Sequence, residues 1–295
     1  MSKKILYSIL INLAVVSFIS CNSGDENTQE SNAPEVIADG TSWEKGIALY
    51  SFHRHPFATA LKMSASAEAE YVEGFSFYKM GGAFGESTMG NLNKEGIDLL
   101  KKMLDEKKIS MSSMYVDGAN NEEDWKNYFE LGRALGLKYF VSEPKKEHWD
   151  IIDRLAGEYN IPVAIHEHAR GLSAYWHPDS VLVAINGRKN IGACADLGHW
   201  VRSGLDPVKC LQQLEGHIIG VHFKDIDKAD LTGKDVTPGT GAIDFPAVVK
   251  ELKRQGFKGI MHVECEYNLD DNLDDVQQTL KYIDQLSSDI FSVTE

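Results

Sequence analysis

Short apolar runs alternate with longer amphipathic segments along the chain from Trp43 onward. Apolar runs bounded by turn residues predict buried strands, and apolar residues spaced three and four apart predict helices that pack on them. This alternation predicts repeated β–α units around a parallel sheet. The predicted strands span residues 46–52, 71–77, 110–116, 139–143, 161–168, 191–199, 218–225 and 259–266.

The segments between these runs predict helices. Residues 91–108 give the clearest case, because Ile97, Leu100 and Leu104 share one helical face. The others span residues 121–137, 148–159, 179–187, 206–214, 245–255 and 274–286. Residues 56–70, where the first helix should lie, have only a poor apolar stripe. An open doubly wound sheet is disfavoured, because no glycine-rich phosphate loop follows the first strand. We therefore predict an α/β fold, a single-domain (β/α)₈ TIM barrel over residues 43–290, near the usual length of about 250 residues.

The N-terminal segment has a different pattern. Lys3 and Lys4 precede an apolar run, residues 5–19, which is too short to span a bilayer stably. The run ends in Phe-Ile-Ser-Cys and resembles a bacterial lipobox, which is cleaved before a cysteine that is then lipidated. We predict a signal peptide at residues 1–20, lipidation at Cys21 and a flexible polar tether at 21–42. The protein would then be an exported, membrane-anchored lipoprotein of the periplasm or cell surface; an ordinary secretory signal is the alternative.

Composition and charge narrow the choice of partners. The chain is 43% hydrophobic, which is ample for a buried core, and its formal net charge is −14. Nucleic-acid binding relies on clustered Lys and Arg, so this acidity predicts no nucleic-acid partner. Cys194, Cys210 and Cys265 are odd in number and form no CxxC motif. They are expected to be buried free thiols rather than a disulfide or a catalytic thiol.

The last four predicted strands each end in His, Asp or Glu. In a (β/α)₈ barrel those ends meet at one mouth, and alternation along each strand points His166, Asp196, His222 and Glu264 inward. One of these residues alone would be read as a hydrogen-bonded core histidine or a helix cap. Burying all four without a cation would be costly or would leave some of them neutral. The pattern predicts one divalent metal ion with open coordination positions.

Four motifs carry a family resemblance: DLGH (196–199), VHFKD (221–225), PGTGAIDF (238–245) and VECE (263–266). With them, residues 45–286 resemble the xylose isomerase-like barrels, a sugar phosphate isomerase/epimerase group that includes ketose 3-epimerases, inosose dehydratases and endonuclease IV. The resemblance implies Glu, Asp, His and Glu ligands on the fifth to eighth strands for Mn²⁺, Mg²⁺, Co²⁺ or Zn²⁺. The last three positions fall on Asp196, His222 and Glu264. The first position has His166 instead of Glu, and Glu143 on the neighbouring strand is the other candidate for first ligand.

The resemblance implies a sugar isomerase or epimerase that removes a proton next to a carbonyl through a metal-stabilised enediolate. The candidate bases are Glu264, Glu143, His166 and His168. Lys224 either neutralises the oxyanion or is a solvated lysine paired with Asp225. The epimerases use two carboxylates as a proton-transferring pair, so the imidazole of His166 leaves a second outcome open. That alternative is a lyase or dehydratase of a keto-sugar or 3-keto-glycoside.

The expected partner is a small sugar, polyol or glycoside. The predicted substrate-binding residues are His168, His199, Trp200, Trp176 and His53, since they lie near the mouth and tryptophan packs well on the apolar face of a sugar. In the epimerases, the histidine of the D-x-x-H motif binds a substrate hydroxyl. A non-catalytic sugar-binding lipoprotein is the rival from another class. A DNA-repair enzyme like endonuclease IV is disfavoured by the acidic charge and the export signal.

Overall fold

Eight parallel strands form a closed barrel in the computed structural model, which describes residues 42–292. They are β1 (Lys45–Ala48), β2 (Tyr71–Phe75), β3 (Ser110–Val116), β4 (Tyr139–Ser142), β5 (Val163–His166), β6 (Ile191–Asp196), β7 (Ile218–Phe223) and β8 (Ile260–Val263). Each strand pairs with the next, and β8 pairs with β1. The predicted (β/α)₈ barrel is confirmed. The predicted signal peptide, Cys21 and residues 21–41 of the predicted tether lie outside the described residues.

Helices connect the strands and pack on the outside of the barrel. They are α1 (Phe57–Ser66), α2 (Lys94–Lys107), α3 (Glu122–Leu135), α4 (Trp149–Tyr159), α5 (Pro178–Ile185), α6 (Leu197–Arg202), α7 (Pro207–Gln213), α8 (Phe245–Arg254) and α9 (Leu273–Ser292). Helix α1 lies in the segment with the poor stripe. It buries Phe57, Ala60, Leu61 and Ser64 at helical spacing. The stripe is weak because Ala60 and Ser64 have small side chains. Along the described part of the chain, no helix combines the length and apolar character needed to cross a bilayer.

Seven of the eight strands are shorter than the apolar runs that indicated them, and two of these runs continue into helical turns. The first ends at Ala48, and residues 49–52 form a 3₁₀ turn. The sixth ends at Asp196, where helix α6 begins. The Oδ1 atom of Asp196 accepts a hydrogen bond from the backbone N–H of His199 at 2.8 Å and caps this helix. Asp196 is therefore both the last residue of a strand and a helix cap.

Side chains fill the lower part of the barrel. Tyr139, Val141, Ala164 and Cys194 form a buried cluster there. Gly220 makes room for Tyr139, because a Cβ at position 220 would lie 2.6 Å from the tyrosine hydroxyl oxygen. His262 lies in the same interior, with Nε2 2.9 Å from Ser112 Oγ and Nδ1 3.3 Å from Tyr139 Oη. Burial lowers the pKa of His262 to about 4, so the ring is neutral at pH 7. Space remains at the carboxyl ends of the strands.

Asp225 supports the loop that follows β7. Its buried carboxylate accepts hydrogen bonds from the backbone N–H groups of Ile226, Gly239, Gly241 and Ile243 at 2.8–3.3 Å. Two-residue strands, Asp225–Ile226 and Asp235–Val236, pair antiparallel beside it. The PGTGAIDF segment is therefore held by one carboxylate, and Asp225 is not paired with Lys224.

Replacing Asp225 by Ala is expected to lower the free energy of unfolding by about 3 kcal/mol, because four backbone donors lose their acceptor. Urea denaturation followed by circular dichroism measures this change. Asp227→Ala, in the same loop but accepting one exposed backbone bond, is the matched control. Equal stabilities of the two variants would contradict this role of Asp225.

The three thiols in the described residues are free and buried, as predicted. Burial raises the pKa of Cys194 and Cys210 to about 12 and that of Cys265 to about 11. Because the thiolate is the reactive form, we expect iodoacetamide at pH 8 to label these three residues only after denaturation. Peptide mass spectrometry checks this, and rapid labelling of native Cys265 would contradict the buried placement.

Candidate active site

The carboxyl ends of β5 to β8 bring four potential metal ligands together. They are His166 at the end of β5, Asp196 at the end of β6, His222 in β7 and Glu264 just after β8. All four side chains are buried, and one donor atom of each lies within 4.8 Å of the others. The predicted convergence of these residues at one mouth is therefore present, and His166 occupies the place beside the other three.

The distances within this cluster suit a shared cation. His166 Nε2 lies 3.1 Å from His222 Nδ1 and 3.4 Å from Asp196 Oδ2. His222 Nδ1 lies 3.2 Å from Glu264 Oε2 and 3.7 Å from Asp196 Oδ2. Donor atoms bound at about 2.0–2.2 Å in a tetrahedral site lie roughly 3.4 Å apart. The observed separations are of this size.

Each imidazole of the cluster uses its other nitrogen to donate to a carboxylate. His222 Nε2 lies 2.9 Å from Glu73 Oε1, and Glu73 Oε2 accepts a 2.7 Å hydrogen bond from Ser113 Oγ. His166 Nδ1 lies 3.4 Å from Glu143 Oε1. With the protons on these outer nitrogens, His222 Nδ1 and His166 Nε2 present lone pairs to each other. Carboxylate–histidine pairs orient metal-binding imidazoles in this way.

The residues fit a cation on two grounds. Asp196 Oδ2 is buried and has no hydrogen-bond donor among the described residues. In addition, two imidazole nitrogens and two carboxylates meet with few hydrogen-bond donors among them. Such a buried group of acceptors needs a positive charge nearby. Burial alone would lower the pKa of His222, but neighbouring negative groups, Glu264 and Glu73 among them, hold it well above its usual value. A bound cation supplies the same positive charge.

Lys224 lies beside the cluster and not in solvent. Its side chain is 1% exposed, and Nζ lies 2.9 Å from Glu264 Oε2, 3.2 Å from Glu266 Oε2 and 3.5 Å from Asp196 Oδ2. Although burial opposes its charge, Asp196 and the two glutamates hold the pKa of Lys224 well above its usual value. Gly198 makes room for it, because a Cβ there would lie 2.7 Å from Lys224 Cγ. The ammonium is therefore a fixed positive charge at the site.

His199 presents one defined tautomer to the site. Arg202 Nη1 lies 3.0 Å from His199 Nδ1, and a guanidinium can only donate hydrogen bonds. Lys224 Nζ, which also can only donate, lies 3.5 Å from His199 Nε2. Because the Arg202 contact is the shorter of the two, Nδ1 is the acceptor and the proton of the neutral ring is on Nε2. Burial keeps the pKa of His199 well below its usual value, so the neutral form dominates. Its Nε2–H lies 3.9 Å from Asp196 Oδ2, where it can donate to a bound hydroxyl or carbonyl.

Glu143 and His168 form a carboxylate–histidine pair at the edge of the cluster. His168 Nδ1 contacts Glu143 Oε1, and Glu143 also accepts from Ser173 Oγ and from Tyr115 Oη. Although burial opposes ionisation, His166 and His168 hold the pKa of Glu143 well below its usual value. With its proton on Nδ1, His168 has a free acceptor at Nε2, and its side chain is 34% exposed.

An open cavity of about 230 Å³ lies above these groups. His166, His168, His222, Glu264, Glu266 and Asp117 form its polar side. Tyr50, Phe75, Phe77 and Tyr115 form an aromatic side, which we call the aromatic wall. Of the predicted substrate-binding residues, His168 lines this cavity and His199 is buried next to Asp196.

The other three predicted substrate contacts are not in the cavity lining. Trp200 is fully buried. It follows His199 in helix α6, whose turn directs the two side chains to different sides. The predicted sugar contact of Trp200 is therefore wrong. His53 stacks on Tyr50 at 4.3 Å and lies behind it. Trp176 packs under the guanidinium of Arg170 at 5.7 Å.

Glu73 and Arg202 were not among the residues predicted from the sequence. Glu73 is the one acidic residue in the apolar run YVEGF, and alternation with Tyr71 and Phe75 was a usable signal for its inward direction. Arg202 lies three residues after His199, one helical turn away. Both residues act through a histidine and do not line the cavity.

Replacing Glu73 by Gln is expected to weaken zinc binding by about 10- to 100-fold, because the amide keeps the shape but loses the charge that orients His222. Competition with a chromogenic chelator measures the affinity. Glu70→Gln, an exposed change just before β2, is the matched control. An unchanged affinity in Glu73→Gln would mean that this carboxylate does not support a metal-binding imidazole.

A family model for xylose isomerase-like TIM barrels matches residues 64–286. The chain belongs to this family. Among characterised relatives, the rhizopine catabolism protein MocC of Rhizobium meliloti is 26% identical over 216 residues, 57% of this chain and 66% of the relative. An inosose dehydratase of Clostridium botulinum is 22% identical over 62% of this chain and 78% of the relative. An inosose isomerase of Bacillus velezensis is 29% identical over 48% and 58%. The chain thus spans just under two thirds of MocC, and family members include both dehydratases and isomerases.

Solved structures agree with this placement. An uncharacterised protein from Parabacteroides distasonis is 31% identical, with a TM-score of 0.66 over 82% of this chain and 98% of that one. The IOLI protein, solved with a bound zinc atom, is 20% identical, with a TM-score of 0.68 over 85% of this chain and all of that one. The second likeness shows the shared barrel fold alone.

Proposed function

We propose that this family member is a divalent-metal-dependent lyase that acts on a carbohydrate ketone. A proton next to the carbonyl is removed, and a substituent on the β carbon is expelled. The observation that carries the proposal is the unlike chemistry of the two acid–base groups at the site. One is the Glu143–His168 pair, and the other is Lys224 with Glu266.

The proposed metal ligands are His166, Asp196, His222 and Glu264. Two imidazoles and two carboxylates suit zinc, manganese or cobalt better than magnesium, which prefers all-oxygen sites. When bound, such an ion draws electron density from a substrate carbonyl. Glu143 is then not a ligand, because its oxygens are engaged by His166, His168, Ser173 and Tyr115.

The remaining groups have distinct roles in this proposal. His168 Nε2 takes the proton from the carbon next to the carbonyl, with its ring oriented by Glu143. The Lys224 ammonium stabilises the negative charge that develops on the carbonyl oxygen. The electron pair of the broken C–H bond forms a C=C bond as the β C–O bond breaks. Glu266 lines the cavity 3.2 Å from Lys224 Nζ and is the proposed proton donor to the leaving oxygen. Burial raises its pKa, although Lys224 opposes this shift. The His199 Nε2–H donates to a substrate oxygen.

Isomerisation or epimerisation is the second candidate. It shares the first step, and an inosose isomerase is among the relatives. It would need the proton to return to carbon, and in the epimerases two carboxylates share that task. Here an imidazole stands at the first position of the ligand set. The unlike groups therefore favour elimination.

Incubation of the metal-loaded protein with ketoses, inososes and 3-keto-glycosides in D₂O tests the proposal. A lyase releases an unsaturated ketone and the leaving group, which ultraviolet absorbance and NMR detect. Deuterium on carbon without fragmentation would indicate the isomerase instead. If no substrate showed either deuterium exchange or release of a leaving group, proton abstraction would be refuted. A metal-free protein that still binds glycans would then support the sugar-binding alternative.

We also propose that the protein is exported and anchored by a lipid on Cys21. The support is the sequence pattern of residues 1–42, a basic start, an apolar run and a cysteine followed by a polar tether. Metabolic labelling with a fatty-acid analogue should label the wild-type protein and not Cys21→Ser. Equal labelling of the two would exclude this anchor.

A further inference from the structure

The aromatic wall extends beyond the reach of the metal-ligand cluster. Its inner end is Tyr115, whose ring centroid lies 5.7 Å from that of His166. Phe75 stacks on Tyr115 at 5.6 Å with an interplanar angle of 19°. Phe77 lies 5.6 Å from Phe75 and 6.2 Å from Tyr115. Two ring-to-ring steps therefore separate Phe77 from the imidazole of the cluster.

Phe77 is the most exposed ring of the wall, and Tyr50 and Tyr115 are half-buried. Phe75 is buried, whereas Phe77 is 43% exposed, a large apolar side chain open to water at the rim. The wall is also fixed in place, since Tyr50 packs against Phe75 at 5.5 Å and has His53 stacked behind it at 4.3 Å. A preformed aromatic surface of this kind gains most from a second ring laid on it.

The rest of the cavity lining would repel an apolar ring. Glu264, Glu266, Asp117 and His168 occupy it, and Lys224 lies directly below. This distribution of polar and aromatic groups allows one orientation of a substrate that has a polar sugar ring and a second, less polar ring. The sugar ring lies over the cluster, and the second ring lies on Phe77.

We propose that the aromatic wall binds the leaving group of the substrate, and that this group is itself a ring-bearing alcohol. The substrate class is then a keto-glycoside with an aryl or sugar aglycone, and not a keto-monosaccharide that loses water. This inference rests on the proposed lyase function. In a 3-keto-glycoside the C2–H bond breaks and its proton goes to the base. The electron pair forms the C1=C2 bond, the C1–O bond breaks, and the released aglycone oxygen takes a proton from the site acid.

Matched 3-keto-glucosides test this inference: the methyl, phenyl and glucosyl compounds. With zinc-loaded protein, we expect kcat/KM to be at least tenfold higher for the phenyl or glucosyl compound than for the methyl compound. Phe77→Ala should reduce this preference at least fivefold. Val183→Ala, which truncates another exposed apolar side chain on α5, should leave it unchanged. The phenyl and glucosyl arms identify which ring the wall prefers.

A binding measurement separates the subsite from the chemistry. Calorimetry with phenyl β-glucoside and methyl β-glucoside, which lack the keto group, should show tighter binding of the phenyl compound, lost in Phe77→Ala. If the methyl, phenyl and glucosyl 3-keto-glucosides were all converted with equal kcat/KM, the subsite would be refuted and the lyase proposal would stand. No turnover at all would refute the lyase, and calorimetry would still decide the subsite. Equal affinity of wild type and Phe77→Ala for the phenyl compound would refute the subsite.

Discussion

Asp196→Asn is expected to abolish stoichiometric zinc binding and to reduce turnover at least about 10³-fold. The Oδ2 atom of Asp196 is a buried oxygen without a hydrogen-bond donor among the described residues, and it lies 3.4–3.7 Å from both imidazoles of the cluster. An asparagine keeps the Oδ1 acceptor that caps α6. The charge that holds the cation is removed, and the helix cap remains.

The thermal stability of the two proteins gives a readout that does not depend on catalysis. A ligand that binds only the folded state stabilises it by about 2.7 kcal/mol at a concentration 100 times its Kd. Zinc should therefore raise the Tm of the wild-type protein and leave that of Asp196→Asn almost unchanged. Inductively coupled plasma mass spectrometry gives the metal content of each.

Asp206→Asn is the matched control, since Asp206 caps α7 through Val208 and Lys209 and is not part of the ligand cluster. It should keep the metal, the turnover and the zinc-dependent rise in Tm. Full zinc occupancy and normal turnover in Asp196→Asn would show that the cluster is not the metal site. Loss of folding in the absence of zinc would instead show that the negative charge of Asp196 is needed for the fold.

The barrel and most of the cluster could be predicted because both depend on short-range patterns. Strand alternation decided the inward direction of His222 and Glu264, and the barrel topology brought their strand ends together. The first ligand could not be predicted, because His166 and Glu143 both end neighbouring strands. Only the three-dimensional arrangement shows His166 Nε2 facing the cluster and Glu143 behind it.

Other features depend on contacts that no local sequence pattern predicts. Glu73 meets His222 across 149 positions of sequence, so no local pattern links them. Trp200 was misplaced because the apolar run 191–199 reads as one strand, although a helix begins at Leu197. The sequence also left Lys224 either as the residue that neutralises the oxyanion or as a solvated lysine paired with Asp225. The loop geometry decided this, since Asp225 turns to four backbone donors and leaves Lys224 to the glutamates.

Lys224 is the one cation among the described residues that lies against the cluster, and its position predicts an unusual pair of effects. Its Nζ atom lies 2.9 Å from Glu264 Oε2 and 3.5 Å from Asp196 Oδ2. Both carboxylates are proposed metal ligands, so the ammonium and the metal ion compete for the same negative charge. Lys224 should therefore weaken metal binding while it stabilises the developing oxyanion.

Lys224→Met is expected to lower kcat by about 10²- to 10³-fold, the usual cost of losing one group that stabilises an oxyanion. Zinc affinity should be unchanged or higher, because a repelling charge is removed from the site. Methionine has a similar length and no charge, so the packing against Gly198 is retained. Steady-state kinetics and chelator competition on the same sample measure the two effects.

The opposite directions of these effects distinguish Lys224 from a structural lysine. Lys228→Met, which removes an exposed ammonium 3.6 Å from Asp230, should change neither quantity. If zinc affinity and kcat both fell in Lys224→Met, the ammonium would be holding the carboxylates in place. If kcat stayed unchanged, the oxyanion would be stabilised without Lys224. The proposed role of the ammonium beside the metal ion would then be wrong.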